Sequence, residues 1–222
     1  MRKRSSAALV LALFCLPACQ PLATPPVGPA PAPAVVVEEM PEWQQRAAPS
    51  DIGRLERLDD AWRDALSDAQ AAGFARQIAA EGRLLQPDAA LASPAPTPGS
   101  YTCRVIRLGG AGRGRAFQAF RPFFCYVGTD GDLLSITKQT GSERPGGYLW
   151  PDDRAERLVF LGSVALGTED MPLPYGEDPA RDMIGAFERV GPFRFRLVVP
   201  WPRSASKLDV FELTPAPAQR TE

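Results

Sequence analysis

Few residues in this chain have the type and spacing that chemistry needs, and the absence of histidine narrows the choice at once. Without an imidazole, nucleophile–histidine arrangements are excluded, and so is the commonest metal ligand. Ser135 and Lys138 in SITK have the separation of a serine nucleophile and a lysine base. That pairing works on a helix, which brings both to one side, whereas the segment reads as a strand, where residues three apart face opposite ways. The run from Gly109 to Arg115, GGAGRGR, lacks the G-x-G-x-x-G spacing and a following helix, so it reads as a hairpin loop with two solvated arginines rather than a phosphate cradle.

Carboxylates are the remaining option. Glycan hydrolysis needs two of them about 5 to 9.5 Å apart across a cleft, and Glu143 with Asp182 is the first pair to test. Glu143 lies in the most polar long loop, KQTGSERPGG from Lys138 to Gly147, where Ser142, Glu143 and Arg144 form the candidate binding surface. A second polar cluster, Tyr175 to Asp178 with Arg181 and Asp182, lacks calcium-loop spacing and reads as a salt-bridged loop. No residue is assigned as catalytic, cofactor-binding or metal-ligating.

These residues must be positioned by a chain of 222 residues, 45% hydrophobic, with 24 prolines and 19 glycines, which suits one modest domain and substantial linker. The formal charge is −1, and removal of Arg2, Lys3 and Arg4 with a leader leaves 22 basic against 26 acidic residues, or −4. A mildly acidic domain is a poor nucleic-acid binder, because phosphate neutralisation needs clustered Lys and Arg.

The N-terminus carries its own message. Three basic residues precede an apolar run from about Ala7 to Leu16 that is too short to span a membrane, the pattern of a bacterial secretory signal over residues 1–18. Leu16-Pro17-Ala18-Cys19 resembles a lipobox, which implies lipid attachment at Cys19; the alternative is an ordinary signal peptide cut a few residues later. Gln20, in place of Asp, implies sorting to an outer-membrane anchor facing the periplasm. Residues 19–41 read as a proline-rich spacer that, as polyproline II, would hold the domain roughly 60 to 70 Å from the lipid. With Cys15 lost in the leader and Cys19 lipidated, Cys103 and Cys125 remain as a disulfide pair for an oxidising compartment.

A single domain is expected over 42–216, helical at 50–86 and β-rich at 100–214, with 217–222 a disordered tail. Ser50 is the candidate cap of a helix whose stripe Ile52, Leu55, Leu58, Trp62, Ala65, Leu66 and Ala69 packs on the sheet, and Gly73 is its stop. Phe74 to Leu85 forms a second, shorter helix interrupted by Gly82. Placing Cys103 opposite Cys125 puts Tyr101, Cys103 and Val105 on one face with Phe123, Cys125 and Val127, leaving Gly110 to Gln118 as loop. The turn at Asp130-Gly131 then sets Val127 opposite Leu134 and Cys125 opposite Ile136. In the strand from Phe193, the phenylalanines and aliphatics alternate with Arg194 and Arg196, as in a half-buried strand, and Arg196 falls opposite Glu212 in a cross-strand ion pair. Seven or eight antiparallel strands give an α+β, mainly β fold: a small barrel or strongly curled sheet preceded by one or two packed helices.

YTCRVIRLG, KQTGSERPGGYLW, RLVFLGS, YGEDPARDMIGAFERVG, FRFRLVVPWP and KLDVFEL resemble successive blocks of DUF4893, a domain-of-unknown-function family of secreted alphaproteobacterial proteins, from about Glu42 to Pro215. The resemblance implies identity without chemistry. The leading expectation is a noncatalytic binding module at the cell envelope, its partner an envelope protein or a small ligand, with no cofactor. A carboxylate glycan hydrolase and, by fold analogy, a protease-inhibitor-like barrel are the alternatives.

Overall fold

Pro49 begins the first long helical stretch because its fixed φ suits the opening turn and its missing N–H needs no partner there. The computed structural model describes residues 40–110 and 115–217. The leader, Cys19, nearly all of the spacer, residues 111–114 and the last five residues lie outside that description.

Among the described residues four short helices come first: α1 (Glu42–Arg46), α2 (Pro49–Glu56), α3 (Leu58–Ala71) and α4 (Ala75–Glu81), followed by a 3-10 turn (Gly82–Leu85). Ser50 is not the cap. It lies inside α2 and makes no capping bond, because the helix starts at Pro49 with Ala48 in the cap position. Gly73 does end α3, at φ 91°, with the Phe74 N–H closing onto the Ala69 carbonyl at 3.0 Å, a six-residue closure that favours glycine in the left-handed position.

Nine antiparallel strands follow: β1 (Gly99–Leu108), β2 (Phe117–Ala119), β3 (Phe123–Asp130), β4 (Leu133–Lys138), β5 (Glu143–Pro151), β6 (Arg157–Leu166), β7 (Met183–Gly191), β8 (Arg194–Pro200) and β9 (Leu208–Pro215). Strands β3 to β9 pair in sequence order, and β9 pairs back onto β1, which closes an eight-stranded up-and-down barrel. The short β2 is the extra strand, lying on β1 beyond the end of β3.

Two registers differ from expectation by two residues. Tyr101, not Cys103, pairs with Cys125, and Val127 pairs with Ile136, not Leu134. The tight turn is Gly131-Asp132, one residue later than expected, which slides β4 along β3. A two-residue slide preserves side-chain parity, so the same residues still face inward. Cys103 and Cys125 are joined diagonally, with Cα atoms 6.0 Å apart. Two loops are also shorter than expected, since β2 takes Phe117 to Ala119 and β5 begins at Glu143.

The hydrophobic core has two parts, one on each side of the barrel wall. Inside lie Tyr101, Cys103, Cys125, Val127, Phe160, Phe187, Phe195, Leu197 and Leu213. Outside, Trp43, Leu55, Leu58, Trp62, Ala65 and Ala69 of the helices cover Ile106, Val159, Ala186, Val198 and Val210. The helical stripe therefore packs on the sheet, as its spacing predicts.

Arg196 departs from the expected pattern. It is fully buried on the helix-covered face, while Phe193, expected inside, is 74% exposed beyond the start of β8. Its Cα partners are both Glu212 and Glu188, and it pairs with Glu188 at 2.6 Å. Glu212 is taken instead by Arg194, at 2.5 Å, and by Arg104. The remaining donors of Arg196 reach the carbonyls of Leu84, Gln86 and Pro87 at 2.7 to 3.0 Å, so one guanidinium ties the helical arm to the barrel.

Candidate functional site

The barrel interior is filled at one end and hollow at the other. At the end holding Gly99 and Pro215, Phe187 stacks on Phe195 at 5.9 Å between centroids, and Tyr101 meets Phe195 edge-on at 6.2 Å. Midway along, Gly162 contributes no side chain. A Cβ there would overlap the Gly146 carbonyl oxygen and press on the Phe160 ring at 2.6 Å, so the glycine lets that ring lie across the bore as a floor.

Beyond this floor charged residues join the apolar ones at inward positions, and a cleft of about 250 Å³ opens at the mouth. Val105, Pro145, Met183, Val199 and Phe211 supply apolar walls, and Arg107, Lys138, Glu143, Asp182, Arg203 and Asp209 supply charge. A hollow of about 810 Å³ at the opposite end is shallower. Its one charged side chain, Arg189, already donates to the Ala92 and Ser93 carbonyls.

Arg107 is the hub of the mouth. It bonds Asp209 at 3.2 Å and Glu143 at 3.3 Å. Asp209 also accepts from Ser206 at 2.5 Å, yet burial outweighs these donors and pushes its carboxyl above the ordinary range. Asp182 accepts the Gly176 N–H at 3.0 Å and is likewise pushed up, mainly by burial and further by nearby Asp51. Lys138 lies 4.4 Å over the Phe123 ring without a carboxylate partner, and burial pulls its ammonium below the ordinary value, with Glu143 opposing and Arg107 and Arg144 adding.

The candidate residues separate clearly. Glu143 lines the cleft, and so does Asp182, so the carboxylates named for hydrolysis share one cavity. Arg144 instead bonds the carbonyls of Gly141 and Gly167 at 2.8 Å, together with that of Glu169, and anchors the 167–182 loop. The Ser142 carbonyl accepts from Gly167. Lys138 faces the cleft and Ser135 lies on the opposite face of β4, so the SITK pair does not meet. In the second polar cluster Arg181 pairs with Glu169 at 2.7 Å and Asp178 at 3.0 Å.

The expectations omitted Arg107, Arg203 and Asp209. Two of them had a signal: Arg107 continues the inward series Tyr101, Cys103, Val105, and Asp209 begins the series Phe211, Leu213, so each is a charged residue at an inward position. Among the described residues, no helix is long and apolar enough to cross a membrane, and no group of three or more His, Cys, Asp or Glu is placed to hold a metal ion.

Residues 43–213 match the family described as Domain of unknown function (DUF4893). The chain belongs to the DUF4893 family. The match runs from α1 into β9, so the helical arm, the barrel and every residue named at the mouth belong to the DUF4893 domain. No curated protein and no solved structure matches the chain.

Proposed function

We propose that this DUF4893 domain is a noncatalytic binding module of the cell envelope, lipidated at Cys19, held off an outer membrane by the 19–41 spacer, and taking a small ligand in the barrel mouth. The observation that carries the reading is the half-filled bore. An eight-stranded barrel is just wide enough either to be filled by side chains or to hold one small ligand. Here Phe160 and its aromatic neighbours fill one half, and the other keeps about 250 Å³ with apolar walls and convergent polar groups, the composition of a ligand site.

Native mass spectrometry of the protein purified from cell envelopes tests this. A noncovalent adduct of small mass, lost when Met183→Trp fills the cleft, is the expected result; bare protein in every preparation would refute it. For the anchor, Cys19→Ser should abolish palmitate labelling and release the protein from the membrane fraction. Continued labelling of that variant rejects the assignment.

Glycan hydrolysis is the second reading, favoured by one observation. Glu143 and Asp182 line the same cleft in unlike settings: Asp182 is buried with its carboxyl pushed up, as a general acid requires, and Glu143 is exposed beside Arg107. Release of reducing ends from envelope glycan by the wild type, and not by Asp182→Asn, would favour hydrolysis over binding.

A further inference from the structure

We infer that the ligand of the barrel mouth is an anionic amphiphile, with a carboxylate or phosphate head held by Lys138, Arg203 and Arg107 and a short apolar body laid against Val105, Met183, Val199 and Phe211. This inference rests on the binding-module reading and specifies its ligand.

Two of the cations that line the mouth have no ion-pair partner among the described residues. Glu143 and Asp209 are both engaged by Arg107. Arg181 is taken by Glu169 and Asp178, and Arg54 by Asp51 at 2.6 Å. Lys138 and Arg203 form no ion pair with any described residue, and the one bond of Arg203 is a 3.4 Å contact from its Nε to the Asp182 backbone carbonyl. Arg107 bonds through Nε and Nη2 and keeps Nη1 uncommitted.

Three cations with spare donors thus face one cavity whose nearby carboxylates are spent or partly spent. In a partly desolvated site a free ammonium without a counter-ion is costly, and a bound oxyanion would remove that cost while taking charge-assisted hydrogen bonds from both Lys and Arg. Asp182 forms no ion pair with Lys138 or Arg203, and its Oδ1 is engaged by the Gly176 N–H.

The walls suit a ligand with an apolar body as well as a charged head. Below the cationic rim the cleft is lined by aliphatic carbons and the Phe211 ring down to a smaller apolar hollow of about 20 Å³, bounded by Pro145, Phe160, Leu197 and Phe211, that continues it into the bore. At about 30 Å³ per water molecule, the mouth has the volume of only about eight waters. A head group with a short acyl or single-ring body is of that scale.

The test uses full-length Cys19→Ser protein purified without detergent, so that neither its own acyl chains nor a surfactant competes. Isothermal titration calorimetry below micelle-forming concentrations compares octanoate, octyl phosphate, octyltrimethylammonium, octyl glucoside and inorganic phosphate. Octanoate and octyl phosphate should bind one to one, at least about tenfold tighter than the cationic and neutral probes, and Lys138→Met or Arg203→Gln should each weaken them about tenfold. Arg203 is exposed, so its variant keeps the comparison open if Lys138→Met folds poorly.

Equal binding of all octyl probes, unaffected by either substitution, overturns the charge assignment and leaves an apolar pocket that still binds. Inorganic phosphate binding as tightly as octyl phosphate overturns the amphiphile. No binding by any probe overturns the inference, and the mass-spectrometric adduct then decides the binding-module reading by itself.

Discussion

The guanidinium of Arg196 lies over the indole of Trp62, 5.0 Å from the ring centroid, and neither side chain is open to solvent. A cation is tolerated there because Glu188 neutralises it, three carbonyls of the 84–87 turn accept from it, and the ring face adds attraction. This one residue links α3, the turn after α4 and the outer wall of the barrel.

Arg196→Met should therefore cost about 3 to 5 kcal/mol, because it leaves Glu188 buried without a partner and several carbonyls unsatisfied. Chemical denaturation measures the loss. Arg196→Met combined with Glu188→Leu should recover a substantial part of it; a double variant no better than the single would mean that the carbonyl bonds, not the buried carboxylate, dominate.

Replacing both Cys103 and Cys125 with serine should lower stability by about 3 kcal/mol, the chain-entropy cost of reopening a loop whose ends are 22 residues apart. The same loss should follow reduction of the wild type. A shift under about 1 kcal/mol would show that the denatured chain stays compact across this loop.

Asp182 gives a pH dependence with a definite sign. Its folded carboxyl is pushed above the unfolded value, so the stability it contributes is present below about pH 3.9 and is lost as pH rises through the folded value. Asp182→Asn retains an acceptor for Gly176 and removes the charge. It should melt higher than wild type at pH 7 and with it near pH 3. A wild type that is the more stable at pH 7 would reverse the assignment.

Gly162→Ala should destabilise by about 1 to 3 kcal/mol, because its Cβ would meet the Gly146 carbonyl and the floor ring Phe160. Circular dichroism melts will show the loss. A companion Gly167→Ala, in open space but at φ 57°, separates steric overlap from backbone strain.

Alternation carried most of the fold. Tyr101, Cys103 and Val105 face inward with Cys125 and Val127, as their parity requires, even though both registers slid by two. Parity survives an even slide, and turn geometry decides the slide; one residue of difference at Gly131-Asp132 moved the whole of β4. The cleft was only partly legible. Glu143 and Asp182 stand out as a carboxylate pair and line one cleft, whereas Arg107 and Asp209 are charged residues in apolar inward series whose meeting shows only once β9 closes onto β1. Arg196 was misplaced for a related reason: a charged residue alternating with apolar ones signals a solvent face unless another layer covers it, and that layer is a helical arm more than 100 residues upstream.

Closure through β1 and β9 also orders events in time. The seam joins partners as distant as Tyr101 and Pro215, so β1, the earliest strand to be made, stays unpaired along that edge until the last strand is complete. Long-range pairing of this kind is slow and leaves strand edges open to other chains meanwhile. A truncation before Leu208 would leave β1 and β8 each with an unpaired edge, a template for pairing with a second copy.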